Sequence, residues 1–363
     1  MKGSLNLGRV FNVAIKVHWT FLLIIVWVTF LELKSGGDFQ NVMMSIFFIL
    51  LVFVCVVLHE FGHILTARKF GVDTKKITLL PIGGVASMET IPENPKEELL
   101  IALAGPAVNV VIALLLAFFV PIQLFTGHDA SSLETSLDRV TLQNIVLYLF
   151  SVNIILALFN FIPAFPMDGG RVFRALLSMR ISRVRATNIA AGLGEVIAFI
   201  FLIIGVFYNP FLILIALFIY FGANAENKMV QQLALIKGHK VEEAMLTNIT
   251  VLSPEDTIED VIEILLKSTE RNFVVVEQEN ILGILHHKDI LNNSNNKNLK
   301  VKEVMDTSFS SIEITVELKE VFMLINTKKK DFFPVTRNNQ LVGAIDLPNT
   351  SEFMLIQSNL ITR

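Results

Sequence analysis

One short stretch carries residues that could do chemistry together: His59-Glu60-Phe61-Gly62-His63. In a helix, side chains four residues apart lie on the same face, so both imidazoles can reach one metal ion. Glu60 flanks that face and could take a proton from a water molecule held there. Zinc suits imidazole ligands and makes hydroxide available at neutral pH, so the spacing indicates a hydrolytic zinc site.

A hydrolytic zinc site has three protein ligands and leaves one position open. Asp168 is the candidate for the third ligand, although Asp-Gly-Gly is also typical of a turn, and a capping role is the alternative. Cys55 is another candidate, because it lies four residues before His59 and thiolates bind zinc. A lone cysteine in an apolar helix is more often a small hydrophobic residue.

Apolar residues are concentrated in the first two thirds of the chain, up to about Phe221. Of the 363 residues, 53% are hydrophobic and 17% are charged, whereas soluble domains have about 25% charged residues. The last third has the mixed charge of a soluble domain. A net charge of −3 without a basic patch argues against a nucleic-acid partner, and the single cysteine excludes an internal disulfide.

A helix needs about 20 apolar residues to cross a bilayer. The apolar runs predict about six transmembrane helices, at Trp19–Leu33, Val42–Ala67, Leu99–Leu124, Val140–Phe161, Ile189–Tyr208 and Phe211–Ala223. The two histidines lie late in the second run. A chance match is the alternative to a metal site, but ionisable groups inside an apolar helix are costly and are functional by default.

Basic residues orient the predicted helices. They precede the first run and follow the second and fourth: Lys2, Arg9, Lys16, Arg68, Lys69, Lys75, Lys76, Arg171, Arg174, Arg180, Arg183 and Arg185. The positive-inside rule then predicts a multi-pass protein of the cell membrane with both termini in the cytoplasm. Runs two and four end on that side, so the active site is expected towards the cytoplasm.

A short β-hairpin is predicted between the second and third runs. Two apolar segments flank Pro81-Ile82-Gly83-Gly84 within Ile77–Met88, which is hairpin chemistry. Non-helical backbone at membrane depth must be paired internally or line a cavity. A re-entrant hairpin meets that demand, and an ordinary cytoplasmic loop is the alternative.

The last third repeats itself at an offset of sixty residues. Val241-Glu-Glu-Ala-Met matches Val301-Lys-Glu-Val-Met, and both copies continue with matching apolar strands. Two copies of one α/β unit are predicted, at 241–292 and 301–355. The chain is accordingly divided into a membrane domain 1–228, a linker 229–240 and a soluble tandem module 241–363.

The membrane part resembles the site-2 protease family of intramembrane metalloproteases. The matching motifs are His59–His63, Pro81-Ile-Gly-Gly84, Gly105-Pro106-x-x-Asn109 and Asn160-x-x-Pro163-x-x-Pro166-x-Asp168-Gly169. The resemblance implies one zinc ion per chain on His59, His63 and Asp168, with Glu60 as general base and then proton donor. It also implies that Asn160 orients substrate or stabilises the oxyanion. Asn109 either lines the site or ties helices together.

The tandem module resembles paired CBS domains, which often bind adenine nucleotides. The position of the ribose-binding aspartate is Asp289 in the first copy and Asn349 in the second, and an acidic Asp346 would repel phosphate there. At most one nucleotide site is expected, involving Asp289. A structural module that forms homo-oligomers is the alternative.

The predicted function is hydrolysis of a peptide bond in or near a transmembrane helix of a substrate protein, with the CBS pair as a regulatory element. One alternative is a non-proteolytic membrane regulator or transporter that retains a metal site. A nucleotide-sensing scaffold is another. Metal content distinguishes them, because one zinc per chain that is lost in His59→Ala favours the protease.

Overall fold

The computed structural model describes residues 3–81, 83–88, 92–120, 140–328 and 330–361. The chain divides into two units, Met1–Val230 and Gln231–Arg363. The helices up to and across this boundary are α1 Leu22–Lys34, α2 Phe39–Arg68, α3 Pro95–Ala117, α4 Ile145–Asn160, α5 Asp168–Ser178, α6 Arg183–Phe207 and α7 Phe211–Leu235. Because α7 runs past Val230, the predicted linker 229–240 begins inside a helix.

Four of the described helices, α2, α3, α6 and α7, are long and apolar enough to cross a membrane. Helix α4 has 16 residues and α1 has 13, fewer than the roughly 20 that a span needs. Each predicted span matches one of these six helices, but its length differs. Residues 121–124 of the third predicted span lie outside the described part of the chain. The helices make this a multi-pass membrane protein.

Polar side-chain caps mark the beginning of two of the long helices, α2 and α3. The Asp38 carboxylate accepts a hydrogen bond from the Asn41 backbone N–H at 2.9 Å, so α2 begins three residues before the predicted Val42. The Asn94 side chain caps α3 in the same way, at 3.0 Å from the Lys96 nitrogen. Such caps satisfy N–H groups that have no partner within the helix.

A four-stranded sheet packs beside α2. Its strands are β1 Ser4–Val10, β2 Val13–His18, β3 Thr74–Leu80 and β4 Gly83–Met88, and they lie in that order across the sheet. Strands β3 and β4 form the predicted antiparallel hairpin, whose Ile82 lies outside the described residues. Strands β1 and β2 were not predicted from the sequence, and β2 pairs in parallel with β3.

The sheet is attached to the same turns of α2 that carry the histidines. Val13, Ile77 and Leu79 on the sheet form one buried cluster with Phe61 and Ile64 on α2. Phe61 lies between His59 and His63 in the chain, and Ile64 follows them. The apolar face of the helix therefore holds the sheet while the adjacent face remains for the polar side chains.

Helix α5 starts at Asp168 and packs against α3 and α6. A Cβ atom on Gly169 would lie 2.3 Å from the Ile162 carbonyl oxygen, and one on Gly170 would lie 2.7 Å from the Ala164 carbonyl carbon. These two positions must be glycine, because the preceding segment passes directly against the helix. The close packing fixes where the Asp168 carboxylate can point.

The second unit contains the two predicted copies. The first has β5 Val251–Leu252, α8 Ile258–Lys267, β6 Phe273–Glu277, β7 Asn280–Leu285 and α9 His287–Asn292. The second begins with α10 Val301–Val304 and continues with β8 Ile312–Glu313, α11 Leu318–Lys328, β9 Phe332–Arg337, β10 Gln340–Asp346 and α12 Leu347–Ile361. In each copy the first strand pairs in parallel with the second, and the second pairs antiparallel with the third.

The opening segment of each copy forms backbone hydrogen bonds with a strand of the other copy. Leu246, which opens the first copy, pairs with Ala344 on β10, and Asp306, which opens the second, pairs with Ile284 on β7. Both exchanges use backbone hydrogen bonds, from the Leu246 nitrogen to the Ala344 oxygen and from the Asp306 nitrogen to the Ile284 oxygen, each of 2.8 Å. Leu246 and Asp306 are sixty residues apart, and so are Ile284 and Ala344. The two pairs are therefore equivalent under the sixty-residue repeat.

Candidate metal centre

Three side chains that are distant in sequence meet at the end of α2. The Nε2 atoms of His59 and His63 are 3.1 Å apart, and the Asp168 Oδ2 atom is 3.1 Å from His63 Nε2 and 3.3 Å from His59 Nε2. All three residues are buried. Within the described residues, this is the group of His, Cys, Asp and Glu side chains that could hold a metal ion.

The histidines are oriented so that both Nε2 atoms face the shared point. His63 Nδ1 is 2.7 Å from the Ile101 carbonyl oxygen, and His59 Nδ1 is 2.5 Å from the Asn109 Oδ1 atom. Both partners are acceptors, so each neutral imidazole carries its proton on Nδ1 and presents a lone pair at Nε2. Two lone pairs and a carboxylate oxygen that face one another form a set of donor atoms that could hold a metal cation between them.

The spacing of the three atoms also fits zinc. With zinc–nitrogen bonds of about 2.0–2.1 Å, two ligands of a tetrahedral site lie about 3.3 Å apart. The observed separations of 3.1–3.3 Å are close to that value. The three side chains supply two imidazole nitrogens and one carboxylate oxygen, a donor set found at catalytic zinc sites.

One stripe of α3 forms the floor beneath the histidines. Ile101 and Asn109 bind the two Nδ1 atoms, and Gly105 lies between them at intervals of four residues. A Cβ atom on Gly105 would lie 2.2 Å from His63 Nε2 and 2.7 Å from His59 Nε2. Glycine is therefore required at this position for the imidazoles to keep their place.

The amide groups of Asn109 and Asn153 connect His59 to α4. Asn109 Nδ2 donates to Asn153 Oδ1 at 2.9 Å, and Asn153 Nδ2 donates to the Leu149 carbonyl oxygen at 2.8 Å. Both side chains are fully buried. Asn109 contacts both His59 and Asn153, so its described contacts fit both predicted roles, bordering the site and tying helices together. Asn153 was missed, because a single asparagine in an apolar run carries no spacing signal.

Cys55 lies apart from the three donor atoms. Its sulfur is 3.4 Å from Asn153 Nδ2, and it is not a member of the metal-binding group. It is buried on α2. The sequence alternative of a cysteine ligand therefore has no support in the geometry.

The described contacts of Glu60 and Asn160 differ. A Cβ atom on Gly84 would lie 2.7 Å from the Glu60 Cγ atom, so the Glu60 side chain passes directly against β4. Asn160 ends α4, and its Nδ2 atom donates to the Leu156 carbonyl oxygen of the same helix at 3.0 Å. No described hydrogen bond joins Asn160 to His59, His63 or Asp168.

The two candidate nucleotide positions in the second unit differ. Asn349 is engaged within the protein, because its Nδ2 atom donates to the Ala244 carbonyl oxygen at 2.6 Å and its backbone N–H donates to Asp346 Oδ1 at 2.8 Å. Burial raises the pKa of the Asp346 carboxyl above its ordinary value. Asp289 is half-buried, and among the described contacts its side chain makes no hydrogen bond.

Gly105→Ala should weaken metal binding, because the new methyl group would occupy the space of both Nε2 atoms. We expect zinc affinity to fall about 10- to 100-fold, as for other changes that displace metal ligands, and competition with a chelator measures it. Gly192→Ala on α6 is the matched control, since nothing lies within 4 Å of its Cβ position. Equal affinity in the two variants would contradict the role of Gly105.

Comparisons with known proteins agree with this geometry. The family model for peptidase family M50 matches residues 47–205, and the CBS domain model matches residues 241–296. A zinc metalloprotease of Methanocaldococcus jannaschii is 35% identical over 95% of this chain and 94% of that protein. A provisionally named zinc metalloprotease of Synechocystis sp. is 27% identical over 95% of this chain and 94% of its own length.

Among solved structures, a site-2 protease from Methanocaldococcus jannaschii is 38% identical, with a TM-score of 0.45, and covers 62% of this chain and 95% of its own. The identity to the archaeal zinc metalloprotease extends over nearly the full length of both chains. The chain therefore belongs to peptidase family M50, the site-2 protease family, and is an intramembrane zinc metalloprotease with a CBS domain in its C-terminal third.

Proposed function

We propose that His59, His63 and Asp168 are the zinc ligands and that Glu60 is the general base. The observation that carries this assignment is the set of three buried donor atoms within 3.3 Å of one another, with both Nδ1 atoms already hydrogen-bonded. When bound, zinc supplies a Lewis acid and makes a hydroxide nucleophile available at neutral pH. One ion per chain satisfies the site.

Glu60 would accept and then donate the proton that is transferred in the reaction. It follows His59 directly in α2 and flanks the metal-binding face, so its carboxylate can accept a proton from the attacking water. The same proton can then pass to the leaving amine. Asn160 remains a candidate for orienting substrate or the oxyanion, because the bond to the Leu156 carbonyl oxygen uses one of the two N–H groups of its amide.

The substrate is proposed to be a segment in or near a transmembrane helix of another protein. A helix hides its carbonyl groups, so the segment must become extended before it can be hydrolysed. Strand β4 is the last strand of its sheet and lies beside Glu60. Its outer edge could bind an extended segment as an additional strand, which would present a carbonyl group to the site.

Glu60→Gln tests the role of Glu60, because the amide keeps the size of the side chain but cannot take a proton. We expect turnover of a co-expressed membrane substrate to fall about 10²–10⁴-fold. Zinc content should stay at one ion per chain, since Glu60 is not a ligand. Unchanged turnover would refute the role, and lost zinc would mean that Glu60 is a ligand.

The proposed topology has six spans, with α1 and α4 as short ones and the β3–β4 hairpin as a re-entrant element. At 1.5 Å per residue, α1 and α4 reach about 20 and 24 Å, less than the roughly 30 Å of the hydrocarbon core. Polar segments adjacent to α1 and α4 would complete these two spans across the bilayer. Both termini and the active site are placed towards the cytoplasm, in line with exposed Arg180 and Arg185.

Reporter fusions check this topology. Fusions after Arg185 and Ala225 are expected to report cytoplasm, whereas one after Asn209, between α6 and α7, should report the opposite side. If the Asn209 fusion also reports cytoplasm, α6 and α7 form a re-entrant pair and the count of six is wrong.

We also propose that the module 241–363 binds one adenine nucleotide through Asp289 and leaves the Asn349 position empty. The support is the asymmetry described above, in which Asn349 is engaged with Ala244 and Asp346 while the Asp289 side chain is not. Assembly of two copies of the protein through these modules is the alternative role.

Titration calorimetry of the full-length protein with AMP, ADP and ATP distinguishes the two roles. The expected result is one binding event that is lost in Asp289→Ala and retained in Asn349→Ala. Absence of binding at millimolar nucleotide would leave the module with the structural role, and two events would contradict the asymmetry.

A further inference from the structure

Helix α5 carries a second residue that is held as tightly as Asp168. Arg174 lies six residues after Asp168, and 1% of it is exposed, which makes it the largest fully buried side chain among the described residues. A guanidinium group is rarely buried so deeply unless its N–H groups are paired. The partners of Arg174 therefore define where α5 can lie.

Those partners belong to three different parts of the fold. Arg174 Nε donates to Glu98 Oε1 on α3 at 2.8 Å, and Nη2 bonds to the same oxygen. Nη1 donates to Glu226 Oε1 on α7 at 2.5 Å. The guanidinium carbon lies 4.9 Å from the centre of the Phe165 ring, in the segment that leads to Asp168. Arg174 thus ties α5 to α3, to α7 and to its own entry segment.

Glu98 lies on the same helix as the floor of the metal centre. Ile101, Gly105 and Asn109 of α3 hold the two histidines, and Glu98 precedes Gly105 by two helical turns, or about 10 Å. The histidines are therefore fixed relative to α3, while Asp168 is fixed relative to α5. Within the described part of the chain, the ion pairs of Arg174 with Glu98 and Glu226 connect α5 to its neighbours.

We propose that Arg174 is a positioning residue whose fork-shaped side chain keeps Asp168 in register with His59 and His63. The inference rests on the proposed ligand role of Asp168. The planar guanidinium sets both distance and rotation, because its N–H groups reach two carboxylates in fixed directions. A sliding or turning of α5 that moved Asp168 away from the histidines would also break these bonds.

Glu226 connects Arg174 to α7, and this bond has a second consequence. It lies on α7, which continues without interruption from the first unit into the second, past Val230 to Leu235. A shift of α7 would act on Arg174 through the Glu226 bond and so on the position of Asp168. Arg174 would thereby make the metal site sensitive to the position of the helix that leads to the C-terminal unit.

A purely structural role is the competing explanation, and it makes different predictions. If the ion pairs only stabilise the fold, variants that retain the fold should bind zinc with normal affinity and geometry. If they position Asp168, the same variants should alter the metal site even when folded. The readouts must therefore report on the site itself.

Three variants of the full-length protein in detergent test the proposal: Arg174→Lys, Glu98→Gln and Glu226→Gln. Lysine keeps the charge but cannot form the fork, and glutamine keeps the shape but removes the charge. Ser45→Ala is the control, because it removes a partly buried hydrogen bond of 2.9 Å to the Glu32 carboxylate between α1 and α2. It touches neither α5 nor the ligands.

Zinc affinity is measured by competition with a chelator, and the absorption spectrum of the cobalt-loaded protein reports the ligand geometry. We expect affinity to fall about 10- to 100-fold in Arg174→Lys and Glu98→Gln, less in Glu226→Gln, and not at all in Ser45→Ala. Hydrogen exchange in α5 of the zinc-free protein should rise in the same order. Turnover should fall in kcat, with KM unchanged.

The outcomes separate this inference from the ligand assignment. If Asp168→Asn binds zinc and cobalt normally, the assignment and the inference both fail. If Asp168→Asn loses the metal while the three network variants behave like Ser45→Ala, the inference alone is overturned. Should Arg174→Lys not fold, Glu98→Gln and Glu226→Gln decide the question, since the Glu226 side chain is 24% exposed and its variant disturbs the core least.

Discussion

The first unit is built around one electrostatic constraint. Two imidazole lone pairs and a carboxylate, which repel one another, are held close together away from water. Hydrogen bonds from both Nδ1 atoms prevent the histidines from turning away. Neutral packing cannot stabilise such an arrangement, because buried polar atoms need partners. A cation held between the three side chains would supply the missing partner, which is the role that we propose for zinc.

Helix α3 meets this constraint with one row of residues. Glu98, Ile101, Gly105 and Asn109 follow one another at helical spacing, and each contributes something different: a charge, a carbonyl oxygen, an empty space and an amide. A carbonyl group and a missing side chain are features of the backbone. They are contributed by residues whose side chains take no part in the chemistry.

This explains how much the sequence could predict. The histidines, Glu60 and Asp168 follow from residue type and spacing, the hairpin from its turn residues, and the two copies from their repetition. The Ile101 carbonyl oxygen leaves no mark in the sequence, because every residue has one. Strands β1 and β2 do carry alternating apolar residues, with Leu5 and Leu7 in β1 and Val13, Ile15 and Val17 in β2, so the signal for them was present and was overlooked.

Arg174 shows most clearly how the sequence prediction and the structure differ. Counted with its neighbours, it contributed to the positive charge that oriented the predicted helices, as though it were solvated. It is instead buried and paired with two carboxylates, whereas Arg180 and Arg185 are exposed. A charge count cannot distinguish a solvated cation from one that is neutralised by residues 76 and 52 positions away.

The reciprocal backbone pairs of the C-terminal unit bear on its ancestry. Each copy completes its sheet region with the opening segment of the other, so a single copy would lack that pairing. Two separate chains of one copy each could make the same exchange around a twofold axis. The tandem arrangement therefore has the pseudo-twofold form of a dimer contained within one chain, in which Asp289 and Asn349 occupy equivalent positions.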